Sequence, residues 1–227
     1  MKIAILILLS LATTFPAAAR RVLCDENCKV EFTGSDTTEP RFAVVSPVGM
    51  PTVEKITQAP RLTTLDGKTI AIVGQSFMTE IIHPEIERLI AKHYPTAKVV
   101  TVKQVGMAGV YPAPGIQRRS KDEFQAKLKE YGVDAVITGN CGCGLCTQKE
   151  CGSAIAAEYI GIPAVVIAAP TFVEQVYYTA INNGIATPRV AEYPGAFALN
   201  TTEELLTNTR DILWERIICP NNANNRR

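Results

Sequence analysis

"ITGNCGCGLCTQKECGSAIAAEYIGIPAVVIAAP", residues 137–170, is the stretch whose reading decides the fold. It opens at the end of one apolar run, passes through a glycine- and cysteine-rich loop, and closes on a second apolar run before Pro170. Between them lies a segment with helical periodicity from about Gln148 to Ile160, with Gly161 where a C-terminal cap belongs. A strand, a helix and a strand joined this closely make a crossover unit, which requires the two strands to run parallel.

The same signature extends outward. "TIAIVG" (69–74), "KVVTV" (98–102), "DAVITG" (134–139) and "AVVIAA" (164–169) are near-continuous apolar runs, and "PRVAEY" (188–193) is a weaker fifth. Strands read this way when helices cover both faces of a parallel sheet. Pro84 suits the first turn of a helix whose stripe is Ile86, Leu89 and Ile90. Four Ser/Thr-x-x-Glu pairs predict helix starts: Ser120–Glu123, Thr147–Glu150, Thr171–Glu174 and Thr201–Glu204. Gly132, Gly161 and Gly184 are expected C-terminal caps. The prediction is α/β: an open, mainly parallel sheet of four to six strands with helices on both faces. In such sheets the loops at the strands' carboxyl ends line the ligand crevice. Those loops include Gly106–Gly115 and "GQS" (74–76), so Gln75 and Ser76 are expected at the pocket. "GQSFM" (74–78) lacks the closing glycine of a nucleophile elbow.

Composition narrows the function classes. The chain has 227 residues, 47% of them apolar, 20% charged, with a net charge of +1. That is enough for one domain of roughly 150–200 residues, and it carries no basic footprint for nucleic acid. Residues 1–19 read as a signal peptide, with Lys2, a short apolar core and an Ala17–Ala19 cleavage site; the core is too short to span a bilayer. The expected organisation is therefore a leader (1–19), an irregular arm (20–60) in which "FAVVSPVG" (42–49) adds a strand, a folded domain (61–219) and a fraying tail (220–227). The mature chain is expected to be exported.

Export favours disulfides, and seven cysteines leave one unpaired within the chain. Cys24 and Cys28 can pair locally or with a distant partner such as Cys219. Cys141, Cys143, Cys146 and Cys151 fall within eleven positions, and three readings stand open. With Thr147 as N-cap, Cys143-Gly-Leu-Cys146 faces unpaired backbone N–H groups, which stabilise a thiolate and suit redox or nucleophilic work. Glu150 opposes this unless it turns back to the cap. Four thiolates could instead hold zinc or an iron–sulfur cluster, although the usual second C-x-x-C unit is absent. A structural disulfide is the third reading. Gly142 and Gly144 let a ligand approach the loop. His83 and His93 read as terminal features of one helix, Glu158 as a structural residue about three turns beyond the loop, and Asn200-Thr-Thr202 as either a glycosylation sequon or a helix cap.

The chain from "LTTLDGKTIAIVG" to "LWERII" resembles the UGSC-motif family of predicted selenoproteins and their cysteine homologues. It is similar, more distantly, to the C-terminal region of the selenoprotein B subunits of glycine, sarcosine and betaine reductases. The motifs are "CGLCT" (143–147), Glu158, "GIP" (161–163) and the "LDGKTI" opening (65–70). The resemblance implies that Cys143 takes the selenocysteine position and Cys146 is its partner. Sulfur in place of selenium makes a weaker nucleophile, and Leu145 stands where a small polar residue is usual. The expectation is a thiol-based redox protein with Cys143 and Cys146 as the reactive pair. Gly142, Gly144, Thr147, Gln75 and Ser76 shape its pocket, and Cys141 and Cys151 are an auxiliary redox pair, a shielding disulfide or alternative metal ligands. No cofactor is expected. The substrate would be a disulfide or small molecule, reduced at the expense of an external thiol or protein reductant. The alternative is a non-catalytic exported binding protein whose cysteines hold zinc or staple the loop.

Overall fold

The structure is a computed structural model that describes residues 23–24, 30–31, 53, 55–110 and 116–218. The expected leader, the strand at 42–49, residues 111–115 of the Gly/Pro loop, Cys28, Cys219 and the tail lie outside the described residues. The chain divides into two compact units, residues 1–52 and 53–227. In the first, β1 (Leu23–Cys24) pairs antiparallel with β2 (Val30–Glu31).

In the second unit the five expected strands form as β3 (Thr69–Val73), β4 (Lys98–Thr101), β5 (Ala135–Cys141), β6 (Ala164–Ala168) and β7 (Val190–Glu192). They make one sheet in the order β4-β3-β5-β6-β7, and every pairing is parallel. The connecting helices are α1 (Thr79–His93), α2 (Val102–Val105), α3 (Ile116–Glu130), α4 (Gly144–Glu158), α5 (Val173–Ile181), α6 (Thr202–Asn208) and α7 (Trp214–Ile218), with a π-helical turn at Thr209–Leu213.

Alternation along each strand divides the core in two. Ala71, Val73, Val136, Ala164, Val166 and Ala168 pack on one face with residues of α3, α4 and α5. Ile70, Ile72, Ile137, Val165 and Ile167 pack on the other with α1, α6 and α7. On that face Ile82, Ile86 and Ile90 of α1 are wholly buried, and each contributes about 1.5–3 kcal/mol. The opposite face carries alanines where the other carries isoleucines. Small side chains there let α4, which is buried along most of its length, lie close to the strands. Among the described residues no helix is long and apolar enough to cross a membrane.

The cap signals sort cleanly. Gly132, Gly161 and Gly184 all adopt left-handed conformations after α3, α4 and α5. Val133, Ile162 and Ile185 then donate back to the carbonyls of Leu128, Ala157 and Ala180, as helix-terminating motifs do. Thr201–Glu204 is a complete capping box at α6. The other three pairs are corrected: Ser120 lies inside α3, Thr147 inside α4, and Thr171 inside a 3-10 turn at Pro170–Phe172 that precedes α5. Hydroxyl-to-acid spacing recurs within helices as readily as at their ends, so tertiary context decides. A box at Thr101–Gln104 opens α2, so Val102 belongs to a helix rather than to β4. Pro84 sits inside α1, which begins earlier, at Thr79.

Candidate functional site

Only Gly142 and Cys143 separate β5 from α4. Cys143 is extended (φ −151°, ψ 164°) and is itself the N-cap: its Sγ accepts from the Cys146 backbone N–H at 3.1 Å. The two sulfurs are joined, with Sγ–Sγ 2.24 Å and Cα–Cα 5.3 Å. This corrects the expectation for Thr147, which is wholly buried, and whose hydroxyl donates to the Cys143 carbonyl at 2.6 Å one turn back. Thr147 therefore braces the turn from beneath rather than lining a pocket. The consequence for Cys143 is favourable. Its sulfur stands at the positive end of a fifteen-residue helix, where a side-chain oxygen usually caps.

Cys143 and Cys146 are half-buried, and Leu145 between them is 71% exposed. The pair is thus reachable from solvent. From α5, Gln175 Nε2 donates to the Gly144 carbonyl at 2.6 Å and steadies the tip. Gly142 is boxed in: a Cβ there would come 2.9 Å from the Phe77 ring and 3.3 Å from Phe197. It shapes the turn by letting two aromatic rings close over it.

The loop after β3 meets this turn, as expected for neighbouring strands. A Cβ on Gly74 would fall 1.8 Å from the Gly139 carbonyl oxygen, so only glycine permits the two loops to approach so closely. Ser76 Oγ donates to Glu150 Oε1 at 2.6 Å, and the Gln75 N–H donates to the same oxygen at 3.1 Å. Thr138 Oγ1 lies 3.3 Å from Oε2. Lys149 Nζ donates to Gln75 Oε1 at 3.1 Å. Glu150 does not turn back to a cap; it reaches across from α4 to the β3 loop and is fully buried. Burial raises its carboxyl above the usual range, opposed by the hydrogen bonds from Ser76, Gln75 and Thr138 and by Lys149. Gln75 and Ser76 do join the cysteine turn, but the Ser76 proton is committed to this carboxyl.

Cys141 and Cys151 are both free and buried in the α4-side core. Burial pushes the Cys141 thiol well above its usual range, with the Cys151 and Glu150 charges adding and a Thr147 hydrogen bond opposing. Burial pushes Cys151 up to about 12, and its thiol faces the Val176 carbonyl at 3.8 Å. The shielding disulfide between them is not formed. Nor does the four-cysteine cage assemble: two sulfurs point into the core while the other two are joined to each other. Among the described residues no group of three or more His, Cys, Asp or Glu side chains is placed to hold a metal ion.

Of two further polar residues at this end, the sequence reading misplaced His83 and missed Asn140. His83 is not a helix-terminal feature; it lies inside α1, with Cε1 2.8 Å from where a Gly74 Cβ would sit. Among the described residues its Nε2 is enclosed without a hydrogen-bond partner, and burial lowers its pKa to about 4 despite an interaction with the Gly139 backbone. Asn140 is wholly buried, with Nδ2 donating to the Phe77 carbonyl at 2.7 Å and Oδ1 unpartnered among the described residues. Asn140 stands at the carboxyl end of β5, the one signal that could have found it; His83 is brought there only by the packing of α1 against the Gly74 turn. His93 does end α1, stacked on Trp214 at 5.7 Å.

The other end of α4 has a different character. Glu158 Oε2 accepts from the Ala59 N–H at 2.8 Å, while Oε1 accepts from the Ala164 N–H at 2.9 Å and from Arg189 Nη1 at 2.5 Å. A cavity of about 310 Å³ opens near this amino-terminal end of the sheet, walled by Leu62, Leu65, Ile70, Tyr94, Ala135 and Ile217. Among the described residues no thiol or carboxylate lines it. Chemistry-bearing groups gather at the carboxyl end.

A protein-family model described as the UGSC family matches residues 43–217. No curated protein matches the chain, and the more distant likeness to selenoprotein B subunits gains no support.

Proposed function

We propose that the chain, which belongs to the UGSC family, is a thiol-based oxidoreductase working through Cys143 and Cys146. One observation carries the reading: the Cys143 sulfur occupies the N-cap of α4, within bonding distance of Cys146 and within reach of solvent. In the reduced protein that position favours the thiolate, the nucleophilic form of the residue. The Cys143 thiolate attacks one sulfur of a substrate disulfide, forming a mixed disulfide and expelling the first thiolate. Cys146 then attacks the Cys143 sulfur, expels the second thiolate and leaves the intramolecular disulfide. An external thiol or a reductant protein restores the dithiol. Gly142, Gly144 and Gln75 border the approach. The high-pKa thiols of Cys141 and Cys151 make them poor attacking groups at neutral pH.

The test is equilibration of the purified protein across a glutathione series, with alkylated peptides quantified by mass spectrometry and metal assayed on the same sample. A labile 143–146 disulfide with a potential of roughly −120 to −270 mV is expected. A bond that glutathione leaves untouched would make the pair a structural staple and end the enzyme reading. The proposal includes export by way of residues 1–19. N-terminal sequencing of protein recovered from expressing cells should find Arg20 first, and an intact Met1 would remove that part.

A further inference from the structure

We propose that Glu150 is the proton acceptor and donor for Cys146 during thiol–disulfide exchange; this rests on the redox reading above. Cys146 and Glu150 are four residues apart on α4, so their side chains leave neighbouring points on one helix face, with Cβ atoms about 5–6 Å apart. Glu150 is wholly buried, yet it points to the carboxyl edge of the sheet, where the cysteine turn and the β3 loop meet. A carboxyl sealed into an apolar layer needs a reason to be there, and its three donors hold it without supplying a counter-charge. Glu158, by contrast, has Arg189. The charged and titratable groups around Glu150 do not replace it. Lys149 on its own helix donates to Gln75 and lowers the carboxyl slightly. Cys141 on β5 is a buried high-pKa thiol. His83 on α1 is held neutral by burial down to about pH 4, and Glu174 on α5 is exposed. Burial raises the Glu150 carboxyl above its usual range, the direction that makes it a better proton acceptor and keeper for a neighbouring thiol.

The step balances. After Cys143 has formed the mixed disulfide, the Glu150 carboxylate takes the Cys146 proton. The new thiolate attacks the Cys143 sulfur, the bond to the substrate sulfur breaks, and the departing thiolate takes its proton from water while Glu150 keeps the one from Cys146. In the reducing direction the carboxylic acid returns its proton to the Cys146 thiolate released when an external thiol attacks Cys143.

Reduced protein is mixed with glutathione disulfide, quenched in acid and alkylated, and the mixed disulfide on Cys143 is followed against the 143–146 disulfide across pH. In Glu150→Gln, which keeps an acceptor for Ser76 and the Gln75 N–H, the first attack should change less than about threefold. Closure should slow by about tenfold or more, so that the mixed disulfide accumulates, with the deficit shrinking as pH rises. Ser76→Ala removes a bond that holds the carboxyl pKa down, so the midpoint of the closure profile should move to higher pH. A merely structural Glu150 would alter both steps together and leave that midpoint in place. Closure at the wild-type rate and pH profile in Glu150→Gln overturns the proton-transfer role alone. A wild-type protein that forms neither disulfide with glutathione overturns the redox reading as well.

Discussion

Cys143→Ala and Cys143→Ser separate the two roles that one sulfur plays, helix cap and disulfide partner. In both variants the 143–146 disulfide is lost, but serine retains a side-chain acceptor for the Cys146 N–H that Cys143 Sγ accepts at 3.1 Å. Losing an N-cap costs about 0.5–2 kcal/mol, typically about 1 kcal/mol. The helix concerned is the most buried of the fold, wedged against β5 and β6, so its first turn cannot fray without exposing Thr147 and Glu150. Alanine should therefore unfold about 1 kcal/mol more easily than serine, which for a domain of this size lowers Tm by about 2–4 °C. The assay is thermal unfolding followed by circular dichroism at pH 7 in excess dithiothreitol, where no disulfide contributes. Cys146→Ser is the control: it leaves the cap intact and should match reduced wild type. Alanine and serine of equal stability, or a loss in Cys146→Ser as large as in Cys143→Ala, would refute the cap geometry and, with it, the reason for assigning the nucleophile to Cys143.

Arg189→Met should cost about 3–5 kcal/mol by urea denaturation, because it strips the partner from a carboxylate whose side chain is only 2% exposed; a loss below about 1 kcal/mol would mean that the backbone donors from Ala59 and Ala164 suffice. His83 has its pKa lowered to about 4 by burial, so the unfolded chain binds a proton there that the folded chain refuses. Its contribution is present above about pH 6.5 and is lost as pH falls toward 4, to a total of about 3 kcal/mol. The urea midpoint of wild type should fall over that range more steeply than that of His83→Phe, while Glu150, raised rather than lowered, contributes in the opposite sense and is common to both proteins. Parallel profiles would show that His83 is solvated. In native protein reduced with dithiothreitol, iodoacetamide at pH 8 should modify Cys143 and Cys146, and reach Cys141 and Cys151 only after denaturant is added. Labelling of all four at one rate would contradict the buried placement.

The sheet was legible because its strands are buried on both faces: four Val/Ile/Ala runs, a weaker fifth and three helix-ending glycines mark the crossovers without reference to anything distant. That Cys143 and Cys146 lie close enough to pair was also legible, from the C-x-x-C spacing. The start of α4 was not. A Thr-x-x-Glu pattern promises a local capping box at Thr147, but the Glu150 carboxyl found Ser76 and the Gln75 N–H, more than seventy residues away in sequence. Thr147 turned its hydroxyl back to the Cys143 carbonyl. The helix therefore starts a turn earlier, and the cap falls to a sulfur. The same limit hid His83 and Asn140, whose significance comes from the meeting of Gly74 with Gly139 across β3 and β5. Patterns of period two and three-to-four report which face of an element is buried, and so determine the architecture. Which polar group a buried side chain finds depends on loops that only the folded sheet brings together.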